Sequence, residues 1–305
     1  MTWALVRGVL SGTIMYGVPL LYATLGEVIG QRAGMVNLGL EGTLLIGASV
    51  GFAVSSATGN PWIGIAAAAI AGSLFNLVYA FMVVTRKANQ LASGLAVMFF
   101  GTGISAMIGR AFVGGGSKGL SRYQIPGIAS FSWATDSMFS YDVLVYLAVP
   151  VAILVWWLLF RTRWGLSLRA VGESPSGAFA AGRRIWFVKY QAALLCGLLG
   201  GIAGAHLSVA LARTWSEGMT GGRGFIAVAL VVFSKWHPLR AIAGAMLFGG
   251  AVTLQLQLQA QGASISPFLL NMIPYVLTLV VLLIWGGARR SAAPGGLGRV
   301  YSGEE

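Results

Sequence analysis

The sequence predicts an all-α, polytopic transmembrane bundle of about eight spans, with half-helices or re-entrant breaks near residues 34–42 and 222–238. Three observations carry this. Of 305 residues, 57% are hydrophobic and only 9% are charged, where a soluble domain carries roughly a quarter charged residues. The mean hydropathy of +0.79 leaves too little polar surface to coat a water-soluble particle. The apolar residues also gather into runs of about 20, the length a helix needs to cross the hydrocarbon core.

The first run, 9–28, follows Arg7. It is longer than the apolar core of a cleavable leader and no small-residue cleavage site follows it, so it reads as a retained span. Further spans are expected at 35–57, 62–84, 91–112, 141–160, 191–212, 225–257 and 266–286. The seventh is too long for one crossing and is interrupted at Ser234-Lys235-Trp236-His237-Pro238. Its first part reads as a half-helix, and a full helix follows from about Pro238. The second is irregular as well, because three glycines, Asn37 and Glu41 fall within 33–42. Paired interruptions of this kind point to a midplane site in transporters.

Residues 1–290 form one transmembrane domain on this reading, with a cytoplasmic loop at about 161–190 and a flexible cytoplasmic tail at 291–305. The loop holds Arg161, Arg163, Arg169, Arg183, Arg184 and Lys189. Such a cluster belongs on the cytoplasmic side by the positive-inside rule. Alternation then puts Arg86, Lys87, Arg289 and Arg290 on the same side, and the N-terminus and the stretch 114–140 outside. The net charge of +12 is thus spread over loops and tail. It forms no basic helix with interleaved aromatics, so the bilayer and not nucleic acid is the partner it implies.

Few residues can carry chemistry. There is no hydrolase elbow, no paired-carboxylate motif and no zinc-protease helix. Gly114 to Gly119 lacks phosphate-loop spacing, His206 and His237 are too isolated to hold a metal, and Cys196 reads as a small buried hydrophobe. A membrane enzyme is disfavoured accordingly, and an ATP-driven process would need its ATPase on another chain. Of eight acidic residues, Asp136, Asp142, Glu217, Glu304 and Glu305 fall in loops and tail and need no special account. Glu27 and Arg32 are expected to pair across the turn after the first span. Glu41 is the informative one, since a carboxylate inside the membrane costs on the order of 3 kcal/mol. With Asn37 four residues earlier on a helix it would line a translocation path. Alternatively it caps a neighbouring broken helix and never meets the solute. In the loop, Ser174 and Pro175 read as an N-cap and a first-turn proline, Ala178 continues a short helix with Phe179 exposed, and Gly182 ends it.

Four motifs, in order, resemble ABC-importer permeases of the ribose, nucleoside and branched-chain amino acid group. They are GEVIGQRAGMVNLGLEGTLLIGA (Gly26–Ala48), ANQLASGLAVMFFGTGIS (Ala88–Ser105), LRAVGESPSGAFAAG (Leu168–Gly182) and GRGFIAVALVVFSKWHPLRAIAGAMLFGGA (Gly222–Ala251). The first is most similar to a permease of nucleoside importers served by basic-membrane-protein-type lipoproteins. The resemblance implies a bacterial inner-membrane subunit without a cofactor of its own. ATP and magnesium would be bound by a partner ATPase, and a second, different permease and an extracytoplasmic binding lipoprotein would complete the importer. Gly172, Glu173, Ser174, Pro175, Ala178, Phe179 and Gly182 would form the coupling helix. Asn37, Glu41, Gln90, Ser93, Phe99 and Phe225 would border the path for a nucleoside. Met98 stands where relatives often carry Asn, which keeps simple sugars and riboflavin open. A proton- or sodium-driven carrier is the rival reading, and it would want more embedded carboxylates than Glu41 supplies.

Overall fold

The computed structural model describes residues 3–116, 118–124, 140–261, 266–285 and 293–299. Asp136, Arg289, Arg290, Glu304 and Glu305 lie outside the described residues. The chain runs α1 (Trp3–Arg32), α2 (Leu40–Thr58), α3 (Pro61–Ala80), α4 (Gln90–Gly109), β1 (Arg122–Gln124), β2 (Ser140–Asp142), α5 (Val143–Arg161), α6 (Arg163–Glu173), α7 (Pro175–Ala180), α8 (Ile185–Ala205), α9 (Arg223–Phe233), α10 (Pro238–Ala260), α11 (Pro267–Asn271) and α12 (Ile273–Trp285). Among the described residues, seven helices are long and apolar enough to cross a membrane. The eighth expected span is instead divided into α11 and α12, with Pro267 and Pro274 near their starts.

Polar residues at the boundaries start these helices. Asn60, Asn89, Asp142, Thr162 and Ser174 each accept a backbone N–H of the first turn of α3, α4, α5, α6 and α7 respectively. The cytoplasmic segment is therefore two helices in sequence, α6 and then α7, where one short helix was expected. A two-stranded antiparallel hairpin, β1 with β2, stands in the opposite connection. It was not foreseen from an all-α pattern.

Alternating helices leave two distinct ends. Arg32 and Arg169 lie over the ring of Phe160, and Thr85 shares a hydrogen bond with Tyr190. At the other end Arg213 donates to Leu120 O, and Thr214 donates to Gly115 O. The first end gathers the basic loops and is the cytoplasmic one by the positive-inside rule.

Lipid offers no hydrophobic drive between helices, so they associate by close backbone packing at small residues. α2 and α8 are the central spans, each about 72% buried over its apolar window. A Cβ placed on Gly204 would lie 2.0 Å from Leu44 O, and one on Gly201 would lie 2.1 Å from Ala68 O. Only glycine lets α8 approach α2 and α3 this closely. α1 and α10 pack antiparallel in the same manner through Gly17 and Gly249.

Two expectations about acidic residues are corrected. Glu27 does not pair with Arg32. It is fully buried and accepts from Gln31 Nε2 (2.9 Å) and Asn37 N (3.1 Å), with the Cys196 thiol at 3.7 Å. Arg32 turns away and donates to Trp236 O at 3.0 Å. Asp142 is not an ordinary loop residue: its Oδ2 lies 3.2 Å from Nε2 of the fully buried His206. It also caps α5 through Val145 N. Asp142→Ala should cost about 2–4 kcal/mol, the sum of a lost cap and an orphaned buried partner. Asp142→Asn should lose roughly half that, and thermal unfolding in detergent reads both.

Of the tail expected at 291–305, residues 293–299 are described. Residues 293–299 form a turn-rich segment that packs on the cytoplasmic end, with Pro294 and Gly296 buried. They do not trail away as a free extension.

Candidate functional site

The two interruptions expected from sequence meet inside the membrane. After α1, residues 33–39 leave the helix at Gly34 (φ +84°), where a side chain would be strained. The segment re-enters the bundle as irregular backbone, which hydrocarbon tolerates only if its polar groups are satisfied by protein. They are. Val36 N donates to Gln90 Oε1 (2.8 Å), Val36 O accepts from Tyr79 Oη (2.6 Å), and Gln90 Nε2 donates to Gly34 O (3.2 Å). Asn37 Nδ2 donates to Asn76 Oδ1 (2.6 Å), while Asn37 Oδ1 accepts Gly39 N (2.8 Å). Asn76 lies nine residues before Thr85 in its span, so α2 begins roughly 13 Å inside the cytoplasmic end.

The second interruption dips from the other side. Residues 213–222 descend from the outer connection, and α9 starts at the depth of Glu41 and runs back to the cytoplasmic end. Glu41 Oε1 accepts from Thr220 Oγ1 (2.6 Å) and Gly222 N (2.8 Å), and Oε2 accepts from Gly224 N (2.6 Å). One carboxylate thus caps α9 while it occupies the first turn of α2. It sits at two positive helix ends at once, which offsets the cost of a buried anion. α9 has no side-chain cap at its own N-cap, Gly222, and Glu41 supplies it from across the bundle. A Cβ on Gly224 would fall 2.5 Å from Glu41 Cα, so glycine is required for the approach.

The sequence-selected residues divide accordingly. Asn37, Gln90 and Ser93 are each 3% exposed and Glu41 is 6% exposed. Asn37 is not helical, so the expected rung of Asn37 and Glu41 on one helix face does not form. The two side chains instead brace separate contacts, α3 and α9. Gln90 pins the re-entrant segment, and Ser93 lies on the face of α4 turned toward α2 with Gly94 and Val97. Phe99 (68%) and Phe225 (37%) face outward from the bundle. The network partners Asn76 and Thr220 went unnoticed in the sequence. A lone amide inside the apolar run 62–84 was the available signal for the first; nothing marked the second.

On the cytoplasmic end, α7 has the expected form. Ser174 Oγ accepts Gly177 N at 3.2 Å, Pro175 follows, and Gly182 takes φ +75° just past the helix. Ala178 is 4% exposed and seats the helix, while Phe179 is 64% exposed. Gly172 is buried, and Glu173 is exposed with its Oε2 accepting Gly295 N (3.3 Å). Among the described residues no group of three metal-binding side chains occurs.

The family model for the branched-chain amino acid transport system permease component matches residues 9–284. Three relatives cover most of the chain. TsgC13 of Haloferax volcanii, whose name assigns it provisionally to a glucose ABC transporter, is 39% identical over 85% of this chain and 80% of its own. The guanosine ABC transporter permease NupQ of Bacillus subtilis is 32% identical over 96% of each chain. The nucleoside ABC transporter permease NupC of Lactococcus lactis is 32% identical over 92% of each. A buried re-entrant pair, seven apolar spans among the described residues and a match of this length lead to one conclusion: the chain belongs to the branched-chain amino acid transport system permease-component family, as a multi-pass inner-membrane subunit of an ABC transporter.

Proposed function

We propose that this permease imports a nucleoside by alternating access, as one half of a pair with a second, different permease. The reading of the solute rests on the guanosine and nucleoside relatives, which align over nearly the full length of both chains. Glucose is the second reading, favoured by the 39% identity to TsgC13. ATP and magnesium are held by the partner ATPase subunits, and a lipoprotein delivers the solute from outside. Phe99 and Phe225 border the path between the permeases and offer rings on which a base can stack, while Asn37, Glu41 and Gln90 hold the surrounding backbone in place and Ser93 lies buried on α4. Calorimetry of the partner binding protein against guanosine, uridine and glucose tests the solute. Binding of a nucleoside with no glucose response is expected, and glucose binding alone would overturn the assignment.

The observation that carries the ATP-driven mechanism is the capped α7 presenting Phe179 beside Gly172, Glu173, Ser174, Pro175, Ala178 and Gly182 on the basic end. Seated in a groove of the ATPase, α7 transmits closure of the nucleotide sites to the bundle. Burial of a phenyl ring is worth about 1.5–3 kcal/mol, so Phe179→Ala should weaken ATPase association by roughly ten-fold or more. Pull-down of the ATPase by the detergent-solubilised permease pair measures it, and unchanged association would remove α7 from the contact.

A further inference from the structure

The C-terminal segment crosses the cytoplasmic end at one particular place. Three glycines from three distant parts of the chain meet there backbone to backbone. Gly34 belongs to the re-entrant segment, Gly172 to the last turn of α6, and Gly296 to the tail. A Cβ on Gly172 would lie 2.1 Å from Arg32 O and 3.1 Å from Gly34 N. One on Gly296 would lie 2.8 Å from Gly172 O and 3.1 Å from Cδ of Pro175.

Hydrogen bonds lace this crossing. Gly296 N donates to Gly172 O (2.9 Å), and Gly298 N donates to Gly34 O (3.4 Å). Gln90 Nε2 donates to both Gly34 O and Arg299 O, each at 3.2 Å. Glu173 Oε2 accepts Gly295 N. Ala293 and Leu297 add apolar packing against the core.

We propose that residues 293–299 are a tie joining the α6–α7 junction to the start of the re-entrant segment and of α4. A displacement of α7 would otherwise reach the interior through α8 and through α6, whose Gly172 lies against Arg32 and Gly34. The tie adds a second, hydrogen-bonded link from that junction to Gln90 of α4 and to the segment that ends at the Asn37 contact and at Glu41. Coupling carried by a chain of packed and hydrogen-bonded elements needs such a physical connection. Peptide turns made of glycine and proline suit the task, since their backbone groups can lie against other backbone without intervening side chains.

The inference rests on α7 being the ATPase contact, and the test keeps the two apart. The full importer, with its ATPase and binding protein, is reconstituted with the parent permease, with Gly296→Val, and with a chain lacking 293–299. Assembly with the ATPase and basal ATP hydrolysis should persist in both variants. Stimulation of hydrolysis by solute-loaded binding protein, and solute uptake, should fall at least ten-fold. Full uptake in both variants, or loss of the assembled complex in both, would overturn the tie. Phe179→Ala in the same assay separates the readings. If it weakens ATPase association while the tail variants transport normally, only the tie fails; if ATPase association is untouched, the α7 reading fails first.

Discussion

Glu41→Ala should leave the protein unable to hold α9 in place, with a loss of about 3–7 kcal/mol. The change strips the acceptor from Gly222 N and Gly224 N together with the Thr220 hydroxyl. Each buried backbone N–H left without a partner costs about 1–3 kcal/mol, and loss of the cap and the anion at two helix ends adds about 1 kcal/mol. Native stability is typically only about 5–15 kcal/mol, so little of the variant should accumulate in the membrane. Glu41→Gln keeps one acceptor oxygen but turns an amide NH₂ toward a donor, and it should lose roughly half as much. Thermal unfolding in detergent decides the matter. A Glu41→Ala protein that melts within a degree or two of the parent would show that the cap does not secure α9.

Gly201→Leu should be comparably damaging for a different reason. The new side chain would collide with Ala68 O at 2.1 Å, and that neighbour is backbone in the middle of α3. Overpacking against side chains costs about 1–3 kcal/mol, occasionally more, because rotamers can yield. Backbone yields only if the helices part, and separating α8 from α3 also strips the contacts of Gly72 and Gly197 between them. The expected loss is therefore at or above the upper end of that range. Gly103→Leu is the matched control, since nothing lies within 4 Å of its Cβ and exposed substitutions stay within about 0.5 kcal/mol. Equal melting temperatures for the two variants would refute the packing argument.

Much of the fold was legible from the chain alone. Apolar run length places α1 to α5, α8 and α10, because hydrocarbon thickness sets that length whatever the neighbours are. The short α9 followed by a break at 234–237, and the capped α7, were also readable, since Pro238, Ser174 and Pro175 act locally. The candidate site was less so. Hydropathy extended the second span back to residue 35, because Met35, Val36 and Leu38 look like membrane. Only the partners Gln90, Tyr79 and Asn76 make a non-helical path through lipid depth affordable there. The tail 293–299 reads as free chain by composition, and its anchors are backbone groups that have no signature in sequence.

What the sequence by itself determined is the class of molecule: a bundle that must stand in a bilayer, broken twice and basic at one end. Those properties follow from local chemistry, from how apolar a run is, how long, and where glycine and proline interrupt it. What only the tertiary structure decided is the use of Glu41. Its sequence neighbours allowed a path-lining rung or a cap, and the choice depended on Gly222 and Gly224, more than 180 residues away, bringing two helix ends to one carboxylate. A buried charge takes its meaning from the groups that compensate it, and those groups are assembled by the fold.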